Sequence, residues 1–506
     1  MRDTRSVVLL VLCVLLGGFV FGAVAQTRVV IGNSASIWTL DGSLDANRQG
    51  ASIYSCLYDY LYIRDMEQTW QPALCLSHKS VDDLTWEFTL RQGVRTHEGH
   101  EFTAEDVAFT INRIMEVGVG SQWRAYISPV SKAEAVDAHT LRITTTTPFP
   151  TLVDNLALIP MLPKGAFERA GATAFASNPV GTGPYKFVRW VTGEYVQLRA
   201  NPDHWRGSPP FEEVEFRQIP DDSARLGALL SGEVDIIVNV PPELMGTISA
   251  RRDLRAVSVP SIRGMYVFFD AVRGPFADSR VRQAINYLID VDELIETVMG
   301  GLGTPINNMV PPMYIGNNPY LPASPYPYDP TRAFALLRAA GYDKPFEIVL
   351  NGPVGRYVKD RELTLAIAGQ LERHGFKVTY KGQEWGVYFR ELRARQEEKD
   401  DRAVLYVLGY GAPHFDLATP YNEFLRIGSK INLWANGTFT NVLDAAMREM
   451  NPVIRVALLN SAHQMVVEEA PIIFLFQLTD NYGINGRIDW TPRSDEMVWV
   501  LEMKLK

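Results

Sequence analysis

The chain has 506 residues, 46% of them hydrophobic and 21% charged, and a net charge of −9. That length exceeds what one hydrophobic core serves, and the composition lies near globular averages, so a disordered chain and a coiled coil are both excluded. The acidic balance argues against a broad nucleic-acid surface, and no nucleic-acid partner is expected.

The first 25 residues stand apart from the rest. Arg2 and Arg5 precede an apolar run over 7–20, and Ala23-Val24-Ala25 supplies the small-x-small pattern of a signal-peptidase site. A cleaved secretory signal over 1–25 is expected, with a mature chain beginning at Gln26 in an oxidising compartment, the periplasm of a Gram-negative cell. The apolar run is shorter than the roughly 20 residues a spanning helix needs, and Leu12 before Cys13 is not the small residue of a lipoprotein site. Export leaves Cys56 and Cys75. A Cys56–Cys75 disulfide is expected, with two buried free thiols as the alternative.

Residues 68–177 read as a smaller α+β domain inserted into a first lobe. A strand is expected over 84–91, and Thr103-Ala104-Glu105-Asp106 forms a capping box that opens a helix carrying Val107, Ile111 and Ile114. A hairpin is expected with strands at 133–136 and 140–144. Before the capping box, His97-Glu98-Gly99-His100-Glu101 sets two histidines at i and i+3. A zinc-protease helix needs them at i and i+4, so this run reads as a charged turn and no metal or cofactor is expected.

From Phe211 onward strands and helices alternate. A strand over 213–219, a helix opened by Asp221 and stopped by Gly232, and a strand over 234–238 form a βαβ unit. A second series runs over 346–350 (strand), 360–374 (helix), 376–380 (strand), 385–399 (helix) and 403–408 (strand). Two separate α/β sheets are expected. Between them, Asp278 caps a helix with the apolar stripe Val281, Ala284, Ile285, Leu288 and Ile289; Asp292 is expected to cap the next, and Asp329-Pro330 opens a third. The proline-rich stretch 304–327 is expected to be an ordered surface loop packed by its tyrosines.

Neither a nucleophile elbow nor a phosphate loop is present, and Gly300-Gly301-Leu302-Gly303 follows a helix, which fits a helix stop rather than a dinucleotide site. Two aromatics are better placed. Trp385 opens a helix after a strand, and Tyr410, between Gly409 and Gly411, sits at the carboxyl end of a strand. Open α/β sheets bind ligands outside the carboxyl ends of their strands, so both are candidates to line a cleft, with a core position as the alternative.

Read together, Gln71-Pro72-Ala73-Leu74, the run from Leu84 through Trp86 to Arg91, Phe102-Thr103-Ala104-Glu105-Asp106-Val107, Gly181-Thr182-Gly183-Pro184-Tyr185, Asn201-Pro202-Asp203-His204-Trp205, Ser231-Gly232-Glu233-Val234-Asp235 and Val281-Arg282-Gln283-Ala284-Ile285 resemble the extracellular solute-binding proteins of family 5. That is the dipeptide, oligopeptide and nickel class serving ABC importers. The resemblance implies a two-lobed periplasmic binding protein fold of the α/β class: a first lobe of 26–67, 178–272 and 480–506, an extra α+β domain over 68–177, and a second lobe over 273–479. It implies a monomer that captures a small peptide-like ligand between the lobes and delivers it to a membrane permease with its ATPase. An oligosaccharide or other polar solute is the alternative within that fold, and a secreted hydrolase is the alternative of a different class.

Trp385, after Glu384, matches a family pocket tryptophan, and Tyr410 stands where relatives carry tryptophan. Oligopeptide binders place an aspartate three residues later to pair with the peptide amino terminus. Here that position is Pro413, which cannot neutralise an ammonium group. Asp416 is expected either to take over that role or to be a structural turn residue.

Overall fold

The computed structural model describes residues 27–34, 37–66, 68–312, 314–318, 321–322, 324–411, 415–429 and 431–506. The expected signal segment, Pro413 and His414 lie outside the described residues, as do Pro319 and Tyr320 of the proline-rich stretch. The first part of the chain carries strands β1 (Arg28–Asn33), β2 (Cys75–Ser80), β3 (Thr85–Leu90), β4 (Val130–Ala135), β5 (Thr140–Thr145), β6 (Tyr185–Val191), β7 (Tyr195–Ala200), β8 (Glu213–Gln218), β9 (Ile236–Ile237) and β10 (Leu254–Phe269). The second carries β11 (Glu347–Val354), β12 (Lys377–Glu384), β13 (Ala403–Gly411) and β14 (Ile472–Asn485). The helices that matter below are α1 (Arg48–Leu57), α2 (Ala104–Met115), α3 (Asp222–Ser231), α4 (Ser279–Leu288), α5 (Val291–Thr297), α6 (Pro330–Ala339), α7 (Asp360–Arg373), α8 (Trp385–Ala394), α9 (Ala418–Phe424), α10 (Gly437–Arg448) and α11 (Pro452–Glu469).

One sheet runs through the molecule in the order β12-β11-β13-β10-β14-β9-β1-β8-β7-β6. The two sheets expected from the sequence are therefore halves of one. They are joined because β10 and β14, of 16 and 14 residues, are long enough to serve both. The start of β10 pairs with the end of β14, from Leu254 opposite Asn485 to Pro260 opposite Thr479, and its second part pairs with β13 and with the start of β14. The register breaks between Pro260 and Gly264, where proline has no N–H to give to a ladder. The strand thus changes partners before residue 264.

In the first half β8 and β9 both run parallel to β1, which lies between them, so the βαβ crossover through α3 skips one strand. In the second half β11 has parallel neighbours on both sides, β12 and β13. Its buried run, like Met265 to Phe269 of β10, is apolar without alternation because both faces are covered. The core of this half gathers Phe269, Ile285, Leu350, Leu405 and Phe474, while Val29, Ile31, Val214 and Ile484 form the core of the first. A third core, with Phe88, Ile111 and Ile143, lies beneath the four-stranded antiparallel sheet β2-β3-β5-β4.

The helix caps follow the sequence closely. The Thr103–Asp106 capping box forms at α2, and Asp221, Asp278 and Asp329 accept from the backbone N–H groups of Ala224, Arg280 and Arg332. The exception is α5, which Asp290 caps by accepting from Glu293 N–H. Asp292 falls one residue inside, where its charge still meets the positive end of the helix. The disulfide is not formed. Cys56 and Cys75 are free and buried in different cores, and the Cys75 thiol faces the carbonyl of Ser77 and the hydroxyl of Tyr62.

Gly181-Thr182-Gly183 is where the inserted domain meets the first half. A Cβ on Gly181 would lie 1.8 Å from the Leu57 carbonyl oxygen at the end of α1, and one on Gly183 2.5 Å from that of Cys56, so only glycine fits this approach. His97 of the charged turn ties the two together. Its Nδ1 accepts from Gly181 N–H at 3.1 Å, and its Nε2 lies 3.0 Å from the Gly183 carbonyl. A neutral ring protonated on Nε2 satisfies both. Burial lowers its pKa from 6.5 to about 4, and does the same to His463, whose Nδ1 meets the Tyr421 hydroxyl. Both rings take up a proton near pH 6.5 when unfolded and resist it when folded. Stability is therefore complete above that pH and falls as pH drops toward 4. Thermal melts across this window are expected to show a falling midpoint, with a shallower slope in His97→Asn and shallower again when His463→Asn is added. An unchanged slope in the double variant would assign the acid sensitivity to carboxylates instead.

Candidate functional site

A cavity of about 670 Å3 opens beside the crossing of β10 and β14. Carboxyl ends of strands from both halves face it: Ser34 after β1, Asn239 after β9, and residues 354–360 after β11. This is the position where parallel α/β sheets take ligands. Arg263 of β10, Asp480 of β14 and Glu496 complete its wall.

The turn from β11 into α7 is built around one carboxylate. Asp360, buried at the start of α7, accepts from the N–H groups of Gly355, Arg356 and Tyr357 at 3.0, 2.7 and 2.9 Å. That leaves the Arg356 and Tyr357 side chains directed outward on a fixed loop. Tyr357 then donates to the Gly409 carbonyl at 2.7 Å. A Cβ at Gly409 would come within 2.9 Å of the Tyr357 ring, so the glycine before Tyr410 makes room for this wall residue. Lys359 reaches Glu243 of the first half at 2.9 Å.

The charges of the wall are unevenly matched. Arg263 and Glu496 pair at 3.1 Å, and the Ser261 hydroxyl also donates to Glu496. Burial alone would raise Glu496, but the guanidiniums of Arg263 and Arg48 outweigh it and hold this carboxyl below the usual range. Asp480 goes the other way. Burial and then the Glu496 charge push its pKa well up, and its Oδ2 has no hydrogen-bond partner. Among the described residues no carboxylate pairs with the Arg356 guanidinium, which lies over the rings of Tyr357 and Trp385 at 5.2 and 5.3 Å.

Trp385 itself stands one layer back. Glu384 caps its helix, and the half-buried indole packs edge-on against Tyr357, stacks on Tyr388 and tilts against Phe389. Tyr410 rests on Phe424 at 5.1 Å, with its hydroxyl on Glu423. Asp416 is fully buried, and both its oxygens are engaged: Arg455 takes them at 2.6 and 2.9 Å, and Ala418 N–H donates to one at 2.8 Å. It is the turn aspartate of the two expectations, not a carboxylate free for a ligand ammonium. Trp385 thus touches the cleft through Tyr357 and Arg356 without lining it, Tyr410 packs on Phe424, and Asp416 is engaged by Arg455.

Arg263, Arg356, Tyr357, Asp480 and Glu496 were not picked out from the sequence. The rule that marked Tyr410, a residue just past the carboxyl end of a strand, applies equally to Gly355-Arg356-Tyr357. Asp480 and Glu496 sit in a segment without a motif. Among the described residues no cluster suited to a metal ion is present, and no helix is long and apolar enough to cross a membrane.

Comparison with known proteins agrees with this architecture. The model of the bacterial extracellular solute-binding proteins, family 5 Middle, matches residues 69–430. The glutathione-binding protein GsiB of Salmonella paratyphi A is 26% identical over 463 residues, covering 90% of this chain and 89% of the relative. Among solved structures, the ABC transporter substrate binding protein CtaP of Listeria monocytogenes superposes with a TM-score of 0.85 at 22% identity, covering 95% of this chain and 99% of that one. A dipeptide binding protein from Pseudoalteromonas sp. SM9913, in complex with Met-Leu, gives 0.78 at 23% identity, with 95% and 100% covered. These likenesses show a two-lobed periplasmic binding protein fold.

The Asp416–Arg455 pair carries a prediction of its own. Removing one partner of a buried ion pair strands the other, at a cost of about 3–5 kcal/mol. Asp416→Ala is expected to lose that much folding stability in urea denaturation. A variant with the parental midpoint and weakened ligand binding would return Asp416 to the site.

Proposed function

We propose, from the premise that the chain belongs to the bacterial extracellular solute-binding proteins of family 5, that this solute-binding component of an ABC importer captures a small peptide-like zwitterion between its two lobes. The observation that carries the reading is the presence in one cleft of a cation without a carboxylate partner among the described residues, the Arg356 guanidinium on its aromatic shelf, and of a carboxyl oxygen without a hydrogen-bond partner, Asp480 Oδ2. A carboxylate on the ligand satisfies the first and an ammonium group the second. A neutral sugar would leave both dehydrated, which costs more than it returns. The named ligands of two relatives, glutathione and Met-Leu, are zwitterions of this kind.

Trp385 supports the site by backing Tyr357 and Arg356, and Tyr410 closes its edge. We assign 26–67, 178–272 and 480–506 to the first lobe, 68–177 to the inserted domain and 273–479 to the second lobe, with the bend at the β10 irregularity. The protein acts as a monomer that hands its ligand unaltered to a membrane permease and ATPase. Export to the periplasm through residues 1–25 should leave Gln26 as the first residue of the mature chain, which N-terminal sequencing of exported protein checks.

Calorimetry with glutathione, dipeptides and tripeptides, beside a panel of oligosaccharides, tests the ligand class. Peptide-like zwitterions are expected to bind and sugars not to. Arg356→Ala is expected to weaken binding roughly ten- to hundredfold, the ~1.5–3 kcal/mol of a hydrogen bond to a charged group. Tight sugar binding, or an Arg356→Ala variant with undiminished affinity for the peptides, would defeat the proposal.

A further inference from the structure

A second cavity, of about 400 Å3, lies between the inserted domain and the second lobe. Tyr126, Phe149 and Asn155 line it from one side and Glu423, Arg426 and Asp444 from the other. Two of its carboxylates are already matched, Asp416 by Arg455 and Asp444 by Arg426, each at 2.6 Å. Glu423, near the end of α9, is not. Its carboxylate meets the Tyr410 hydroxyl, and among the described residues no lysine or arginine pairs with it. The side chain is open to the cavity yet enclosed by enough protein that lost hydration raises its pKa. Its charge adds to burial in raising Tyr410 and in pushing Tyr126 up to about 12. Arg448, exposed on α10, also lines the space.

The end of β13 lies between this cavity and the cleft. Gly409 receives the hydrogen bond of Tyr357, Gly411 pairs with Arg263, and Tyr410 between them reaches Glu423. Tyr357 and Arg263 are walls of the first cavity. Tyr410 and Glu423 lie on the face of this strand end opposite to Tyr357.

We propose that the second cavity is a specificity pocket for a basic side chain of the bound peptide, lysine- or arginine-like, with Glu423 as its counter-ion and Tyr410 holding that carboxylate in place. The proposal rests on the peptide reading of the cleft. A carboxylate that faces a cavity without a cation partner is free to take a ligand cation, which a filled pocket would then shield from water. An apolar side chain leaves it uncompensated, and an acidic one adds repulsion. Because the pocket has one wall on the inserted domain and one on the second lobe, a filled pocket also holds these two bodies together.

Recognition of a cation requires Glu423 ionised. Lost hydration raises its pKa, so the preference weakens as pH falls through that raised value. The other acids facing it, Asp416 and Asp444, stay bound to arginines, and Tyr126 and Tyr410 titrate far above this range.

The test is calorimetry at about pH 7.5 and about pH 5 with tripeptides carrying one lysine at each position in turn, against matched leucine peptides. One lysine position is expected to bind at least about tenfold tighter than its leucine counterpart, with the ratio shrinking at the lower pH. Glu423→Gln should bring that ratio to about one at both pH values, and Glu423→Asp, which keeps the charge, should retain part of it. Peptides that bind without any lysine preference, or a preference that survives Glu423→Gln, would overturn the pocket while leaving the cleft reading intact. Binding by no peptide at all would overturn both.

Discussion

Both lobes hang on one antiparallel pair, β10 with β14, and the pair is broken where it passes from one lobe to the other. Between Pro260 and Gly264 the ladder loses its register. The backbone groups freed there are met from elsewhere: Ser494 accepts from Ile262 N–H, the Ser261 hydroxyl from Arg263 N–H, and Gln477 donates its side-chain amide to the Ser261 carbonyl. A bend needs such exchangeable partners, because a continuous ladder resists it. The residues that relieve the break are also neighbours of the cleft. Ser261 donates to Glu496, and Glu496 pairs with Arg263. A charge arriving at Asp480 or Glu496 therefore acts on the bend itself.

On the proposed reading, this placement would couple binding to closure without a separate signalling route. Ligand shifts the lobes only by the difference in its affinity for the closed and open arrangements. Groups contributed by one lobe alone add affinity and little closure. Arg356 rides on the second lobe, Asn239 and Ser34 on the first, and Arg263 with Asp480 on the strands between. A zwitterion long enough to touch all three has its strongest contacts only when the lobes meet.

Much of the fold was legible because its signals are local. The caps at Thr103, Asp221, Asp278 and Asp329, the apolar stripe of α4 and the strand runs of β11 and β13 each depend on residues within a few positions of one another. What escaped was long-range. That β10 and β14 fuse two sheets depends on pairing of residues over 200 positions apart, to which no periodicity speaks. The cysteine pair fails for the same reason, since an even count does not reveal that Cys56 and Cys75 fall in different cores. At the site, Trp385 and Tyr410 were singled out through strand ends, whereas the sequence left Asp416 between a ligand role and a turn because its partner Arg455 lies 39 residues on. The charge pattern of the cleft, with Asp480 and Glu496 from the C-terminal segment, follows from tertiary packing and from nothing in their own neighbourhood.

Among the described residues, individual contacts between the two lobes are modest. Lys359 with Glu243 is a partly exposed pair of the kind worth about 0–1 kcal/mol. Arg64, whose pKa burial lowers to about 10, lies between the Trp70 ring at 3.6 Å and the Phe415 ring at 4.0 Å, and cation–π contacts of this sort add roughly 0.5–2 kcal/mol each. Phe415 makes that contact while stacked on Tyr314 and with a φ of 58°, a left-handed backbone that costs a non-glycine residue about 1–3 kcal/mol. The favourable and unfavourable terms are of one size. Moving such a system from mostly open to mostly closed takes roughly 5.5 kcal/mol of differential affinity, which one or two charged hydrogen bonds across the cleft do not reach alone. Several must form together, which on the proposed reading a single ligand reaching both Arg356 and Asp480 would supply.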